Sequence, residues 1–185
     1  MELYEAITSR RSVRRYRDDP VPREVLDRLL VAAQWAPSWA HTQTPEVIVV
    51  ETPEARAEVQ AALTERNPAH SAMGEAPLSV AFCAKLGKAG FKKGEPATSR
   101  GDWMMFDVAL AMQNFMLAAH AEGLATVCVG LFDSEVAGRA LGVPFGTTVV
   151  ALTPLGYPAA ETKVPPRKDP GEFVHWNRYG EGRSE

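Results

Sequence analysis

The chain has 185 residues, 45% hydrophobic and 23% charged, an ordinary globular composition that speaks against a disordered chain. Its net charge of -3 argues against a general nucleic-acid binder, because no overall basic field would gather phosphates. Met1 to Glu5 lacks the basic start and apolar run of a signal peptide, and the longest apolar stretch, Trp103 to Ala121, is broken by Asp107, Gln113, Asn114 and His120, so no membrane span and a cytoplasmic protein are expected.

In chain order, Glu2 to Ser9 reads as a first helix with Leu3, Ala6 and Ile7 on one face. An arginine-rich loop follows. A second helix opens near Pro22 and carries the apolar stripe Val25, Leu26, Leu29, Leu30 and Ala33. It stops before Pro37, since a residue preceding proline is pushed out of helical geometry. Val47 to Val50 is short, β-branched and without alternation, as in a buried strand. Thr52-Pro53-Glu54 starts a third helix with a threonine cap, and that helix turns Val59, Ala62 and Leu63 inward. Leu78 to Ala84 is a second strand, and the Gly- and Lys-rich stretch from Lys85 to Gly101 is a loop.

Trp103 to Glu122 predicts a long helix, apolar almost all round, closed by Gly123. Such a helix must be covered on every side. A chain this small has little left over to cover it, so a second copy of the chain is expected to pack there, with Met112 and Phe115 as candidate contacts. A helix buried wholly within one copy is the other possibility. Ala125 to Gly130 and Thr147 to Leu155 are further strands, separated by a short helix from Ser134 to Leu141 that ends at Gly142. From Tyr157 onward a Pro- and charge-rich tail is extended, with room for one helical turn at Glu172 to His175. Cys83 and Cys128 lie in apolar runs and read as buried thiols in a reducing compartment. The four histidines are scattered and suggest no metal site. Helices and strands mix without βαβ alternation, which predicts an α+β fold, and no GxGxxG or Walker motif follows a strand.

Three segments carry chemistry. Arg10-Arg11-Ser12-Val13-Arg14-Arg15-Tyr16-Arg17 places five arginines within eight residues of an acidic chain. Guanidinium forks suit phosphate, but a solvated basic turn neutralised by Asp18 and Asp19 has equal standing at this point. Trp35 to Gln43 stops a helix at a proline, then presents a serine, an indole, an imidazole and an amide in an irregular segment. That composition suits either a ligand-binding loop or an ordinary turn with Trp39 in the core. Pro165-Pro166-Arg167-Lys168 is a basic stretch of the tail, for which a surface linker is the plain alternative.

Together these segments resemble the FMN-dependent nitroreductase family. Arg-Arg-Ser-x-Arg after the first helix is similar to its opening signature, and Ala36-Pro37-Ser38-Trp39-Ala40-His41-Thr42-Gln43 to its Ala-Pro-Ser-x-x-Asn-x-Gln segment. Asp107, Ala111 to Asn114 and Leu117 to Leu124 resemble its central dimer helix, and Leu155-Gly156-Tyr157-Pro158 with the late basic pair resembles its closing motifs. His41 stands where the family usually has Asn, and Thr44-Pro45 where it has Pro-Trp.

The resemblance implies one FMN-binding domain over residues 1–185, with 157–185 as a tail. Its fold would be a central mixed sheet flanked by helices, with the long helix at a homodimer interface. It implies that Arg10 and Ser12, assisted by Arg11, hold the FMN phosphate, and that Arg167 with Lys168 closes on it. Arg14 would lie near the pyrimidine edge and Gly130 would approach the ring through its backbone. Pro37, Ser38 and Trp39, with His41 beside them, would come from the partner copy. The implied activity is NAD(P)H-dependent reduction of nitroaromatic, quinone or similar acceptors by a ping-pong mechanism, with no protein nucleophile, no nucleic acid and no membrane involved. A specialised relative performing dehalogenation or flavin fragmentation, and a non-catalytic flavin-binding module, are the rival expectations.

Overall fold

A computed structural model describes residues 1–183. Helix α1 (Leu3–Ser9) is followed by the arginine segment and by α2 (Arg23–Gln34). Strand β1 (Pro45–Val50) leads to α3 (Pro53–Gln60), whose Thr52 side chain accepts from the amide of Ala55 as an N-cap should. A short helix that the sequence pattern does not announce, α4 (His70–Glu75), precedes β2 (Leu78–Lys85). The 85–101 stretch holds a small hairpin, β3 (Phe91–Lys92) and β4 (Glu95–Pro96). Then come α5 (Met104–Ala121), β5 (Ala125–Thr126), α6 (Ser134–Ala140) and β6 (Thr147–Gly156). Gly123 takes the left-handed conformation (φ 78°) expected of the residue that closes α5. The turn in the tail lies at Pro170–Glu172, capped by Asp169, slightly earlier than the sequence suggested.

The main sheet has the order β1-β2-β6-β5, every neighbouring pair antiparallel. Its mixed character rests on one parallel bridge, Ser12 to Thr126, where the arginine segment joins the edge. Both faces of the sheet are covered. Leu78, Val80, Phe82 and Ala84 of β2 meet α2 and α5, while Ala81 and Cys83 meet α3, α4 and α6. That two-sided burial is why β2 reads as a continuous apolar run. Phe82 and Phe115 meet edge to face at 5.4 Å in the first core. Burial pushes the Cys83 thiol up to about 11.

Three expectations need correction. The 125–130 strand is only two residues long, with an isolated bridge at Val129 to Leu152. In the register set by Thr126–Leu155 and Val129–Leu152, Pro154 falls opposite Val127 and has no N–H to give. The donor lost there is the one that would face the Val127 carbonyl, while the Val127 amide donates to the Thr153 hydroxyl, which in turn donates to Pro154 O. This departure leaves Cys128 exposed, not buried. Lastly, Met112 and Phe115 face the chain's own core, so they are not the outer contacts of α5. Its outward residues are Met105, Phe106, Ala109, Gln113 and, at its end, Ala121.

Candidate active site

The arginine segment is built by the end of α1 and the edge of the sheet. Val13 is buried and its amide donates to Thr126 O, which turns Arg14 outward. Tyr16 Oη donates to Val13 O, Arg17 N to Tyr157 O and Ala159 N to Arg15 O, so the start of the tail is sewn to the same segment. The tail then brings Thr162, Lys163, Pro165 and Arg167 against Arg10, Arg11, Ser12 and Arg14 around a groove of about 290 Å³. Lys168 is exposed one residue past Arg167 and does not line it. Sequence reasoning passed over Lys163, whose spacing from Arg167 carries no signal in an irregular tail.

Electrostatics bears on the two readings of this run. Among the described residues only Arg17 of this run is neutralised, by Asp19 at 2.9 Å. Arg10, Arg11, Arg14 and Arg167 form no ion pair among the described residues. Partial burial, then the nearby guanidiniums of Arg11 and Arg167, hold Arg10 below its ordinary value. Like charges gathered this way are unfavourable until an anion joins them, and a phosphate supplies that anion with bidentate geometry.

Arg11 has a second role. Its Nη1 donates to Thr8 O and Arg10 O, both at 2.7 Å, at the carbonyl end of α1. Its Nε is buried without a partner. Behind it, Ser9 Oγ donates to Glu5 O, so the 2.7 Å contact between Ser9 Oγ and His120 Nε2 has the imidazole as donor. Burial, then Arg10 and Arg11, lowers the His120 pKa.

Beside the groove, Arg14 also borders a hollow of about 120 Å³ walled by Asn67 to Ala69 and Val127 to Leu131. A Cβ added at Gly130 would meet no atom within 4 Å, so the backbone there is open to approach. Asn67 is the polar wall that the sequence did not reveal. It is nearly buried, donates to Leu131 O at 2.7 Å and accepts from Ala69 N at 2.8 Å.

The second half of the expected site lies elsewhere. Trp39–His41 forms a single 3-10 turn, and Ala40, His41 and Gln43 all have positive φ (45°, 57° and 49°). Each such residue costs roughly 1–2 kcal/mol, so something must hold the loop. Asp107, fully buried on α5, accepts from Trp39 N at 2.8 Å and from Thr44 Oγ1 at 3.0 Å. Hydrogen bonds to a charged group contribute roughly 1.5–3 kcal/mol each, enough to offset the strain. Ser38 Oγ accepts from Gln43 N, and Gln43 Nε2 lies 3.2 Å from His41 Nε2. The departure at Thr44 thus has a structural use, and the lone acid of an apolar helix was the signal that could have found Asp107.

Ser38 and Gln43 line a cleft of about 290 Å³ with Leu30, Ala36, Val47 and Ala111. Pro37 and His41 are exposed and Trp39 is half-buried. None of the residues around the arginine groove borders this cleft. A single copy of the chain therefore brings together Arg10, Arg11, Ser12, Arg14 and Arg167, with Gly130 in the adjoining hollow, but keeps Pro37, Ser38, Trp39 and His41 apart from them.

Known proteins of the same build match nearly the whole chain. The sequence profile of the nitroreductase family matches residues 7–157. A putative NADH dehydrogenase/NAD(P)H nitroreductase of Methanothermobacter thermautotrophicus is 32% identical over 97% of this chain and 88% of its own length. A 5,6-dimethylbenzimidazole synthase of Rhodospirillum rubrum is 30% identical over 84% of this chain and 82% of its own. The solved structure of an FMN-dependent nitroreductase from Clostridium difficile superimposes with a TM-score of 0.79 at 25% identity, covering 95% of this chain and 99% of that one. By its sequence profile and by its α+β architecture alike, this chain belongs to the nitroreductase family.

Proposed function

We propose that this oxidoreductase of the nitroreductase family holds FMN in a site shared by two copies of the chain and uses NAD(P)H to reduce a nitroaromatic, quinone or similar acceptor. The observation that carries this reading is the groove where Arg10, Arg11 and Arg167 crowd together without a carboxylate, a charge arrangement that fits a phosphate monoester. The family match and the similarity to an FMN-dependent nitroreductase support FMN as that ester.

In this reading Arg10, Ser12 and Arg167 bind the phosphate, with the spare Nε–H of Arg11 and the ammonium groups of Lys163 and Lys168 adding charge. Arg14 faces the pyrimidine edge, and the backbone at Gly130 admits the ring. Pro37, Ser38, Trp39 and His41 of a second copy complete the site. Bound FMN supplies the redox chemistry, taking a hydride from the nicotinamide and reducing the acceptor. The chain supplies binding, orientation and exclusion of water, and no side chain acts as a nucleophile. Donor and acceptor use the same open face in turn, which makes the kinetics ping-pong.

The dimer is supported by the apolar groups left uncovered on one copy. Phe106 and Met105 of α5 are 55% and 63% exposed. Leu3, Tyr4 and Ile7 of α1, Val31 of α2 and Trp35 at its C-terminal end are exposed as well, and both helices pack on α5. So are Phe173, Val174, Trp176 and Tyr179 of the tail. We treat residues 1–185 as one FMN-binding unit with 157–185 as its tail. No helix among the described residues is long and apolar enough to cross a membrane. Free thiols at Cys83 and Cys128 accord with a cytoplasmic setting.

The test is anaerobic. The purified protein should bind FMN and be bleached by NADPH or NADH, and an initial-rate grid of donor against acceptor should give parallel double-reciprocal lines. Protein that takes up no FMN overturns the reading, and intersecting lines overturn the single-face mechanism. The similarity to the 5,6-dimethylbenzimidazole synthase favours a second reading, a specialised reaction in place of acceptor reduction. Bleached enzyme that no acceptor reoxidises would favour it.

A further inference from the structure

The hairpin β3–β4 has no part in the reading above, yet it is built with care. Lys93 and Gly94, its two central residues, have φ of 52° and 84°, the paired left-handed conformation of a tight hairpin turn. Asn or Gly is the ordinary occupant of the first position, and a lysine there is strained. The base is rigid. Trp103 N donates to Ala89 O, Ala97 N to Gly90 O, Trp103 Nε1 to Thr98 Oγ1 and Gly87 N to Asp102 Oδ2. A Cβ at Gly90 would collide with the Gly101 carbonyl and the Trp103 indole, so this crossing requires glycine.

The charge on this element is one-sided. Lys88, Lys92, Lys93 and Arg100 are exposed on an acidic chain, and none forms an ion pair among the described residues. Asp102 is occupied by backbone amides, which leaves Glu95 as the one other acid between Leu86 and Asp102. Both ends of the element are fastened to the Trp39–Thr44 loop. Lys85 N donates to Thr44 O where the chain leaves β2, and on its return Trp103 precedes by one turn the Asp107 that holds Trp39 and Thr44. The base of the hairpin is therefore fastened to the loop that, in the flavin reading, frames the substrate face on the copy opposite the one that clamps the FMN phosphate, and the basic tip projects from that base.

We propose that Lys92 and Lys93 receive the 2′-phosphate of the nicotinamide donor, which makes NADPH the preferred reductant. This rests on the flavin reading above. A dinucleotide whose nicotinamide stacks at the flavin must lay its adenosine end over the rim of the site. NADPH differs from NADH there by one phosphate monoester, and two exposed lysines in succession at the hairpin tip, with Glu95 opposite Lys92 as the one facing acid, distinguish the two by charge.

The test compares the two donors on the FMN-loaded enzyme. The variant Lys92→Ser/Lys93→Asn removes both charges and retains a residue that tolerates the left-handed turn. The wild type should favour NADPH at least tenfold in kcat/KM. The variant should lose roughly that factor with NADPH, through KM, and stay within about twofold with NADH. Inhibition by 2′,5′-ADP should weaken in parallel while inhibition by 5′-AMP does not. Lys92→Arg should keep the preference. A wild type indifferent to the phosphate, or a variant that loses both donors equally, overturns the inference and leaves the flavin reading standing. FMN-loaded protein that neither nucleotide bleaches overturns the donor reading and this inference with it.

Discussion

The arginine segment and the Trp39–Gln43 loop are the two halves of one proposed site, and they are held in opposite ways. Arg10 to Arg17 lies on relaxed, extended backbone sewn to β5 and to the start of the tail. Its cost is electrostatic, because Arg10, Arg11 and Arg167 repel one another until an anion arrives. The Trp39–Gln43 loop carries little charge but a strained backbone, which the buried carboxylate of Asp107 fastens. In the proposed reading a ligand stabilises the first half, whereas the protein itself stabilises the second. Substitutions in the two should therefore fail differently.

The largest effect should come where the halves meet. Phe106→Asp places a carboxylate on the exposed apolar face of α5, away from the chain's own core. Burying that charge at an interface costs several kcal/mol, so the variant should run as a folded monomer in sedimentation and lose FMN. A monomer that still binds FMN tightly would mean that one copy suffices and that the comparison has the halves wrong.

Asp107→Asn should come next. Asparagine offers one oxygen where the carboxylate offers two, so both donors lose a charged partner and one of them faces an amide NH2 in place of an acceptor. The apoprotein should lose about 1.5–3 kcal/mol in denaturant unfolding, before any ligand is added. Stability unchanged in the apoprotein would show that Asp107 does not fasten the loop.

Arg10→Ala should show the reverse pattern. FMN affinity should fall one to two decades, about 1.5–3 kcal/mol, while riboflavin, which lacks the phosphate, is hardly affected. Apoprotein stability should stay within about 0.5 kcal/mol or rise, since a repulsive charge has gone. Equal losses for FMN and riboflavin would place Arg10 away from the phosphate.

The smallest effect is a dependence on pH. The imidazole of His120 donates to Ser9 Oγ, and burial with Arg10 and Arg11 lowers its pKa. The unfolded chain then binds more protons than the folded one, so stability rises with pH. Its contribution is complete above about pH 6.5 and is lost as the pH falls from there through the lowered folded value. His120→Gln should flatten that part of the apoprotein profile relative to wild type, and parallel profiles would exclude His120 as its source.

Local patterns carried much of the architecture. The two-sided burial of Leu78 to Ala84, the capped start at Thr52 and the closing Gly123 each act within a few residues, so each was legible in the sequence. The 125–130 strand was misjudged because its fate depends on Pro154, twenty-seven positions from Val127, which removes a donor from the facing strand. The apolar girth of α5 told that it must be covered on all sides, but not which side by what. Periodicity alone could not assign Met112 and Phe115 to the core and Met105 and Phe106 to the surface.

By itself the sequence determined the chemistry on offer: five arginines in eight residues, a late Arg167, a loop ending a helix at Pro37, and motifs in the order of one family. Residue type and short spacing suffice for that, because they fix charge and local geometry. Only the tertiary structure decided which of those charges stay unneutralised, that Asp107 and Thr44 fasten the loop, and that the two halves lie on separate cavities of one copy. Those facts depend on groups far apart in the chain meeting at hydrogen-bond distance, and no local pattern records such a meeting.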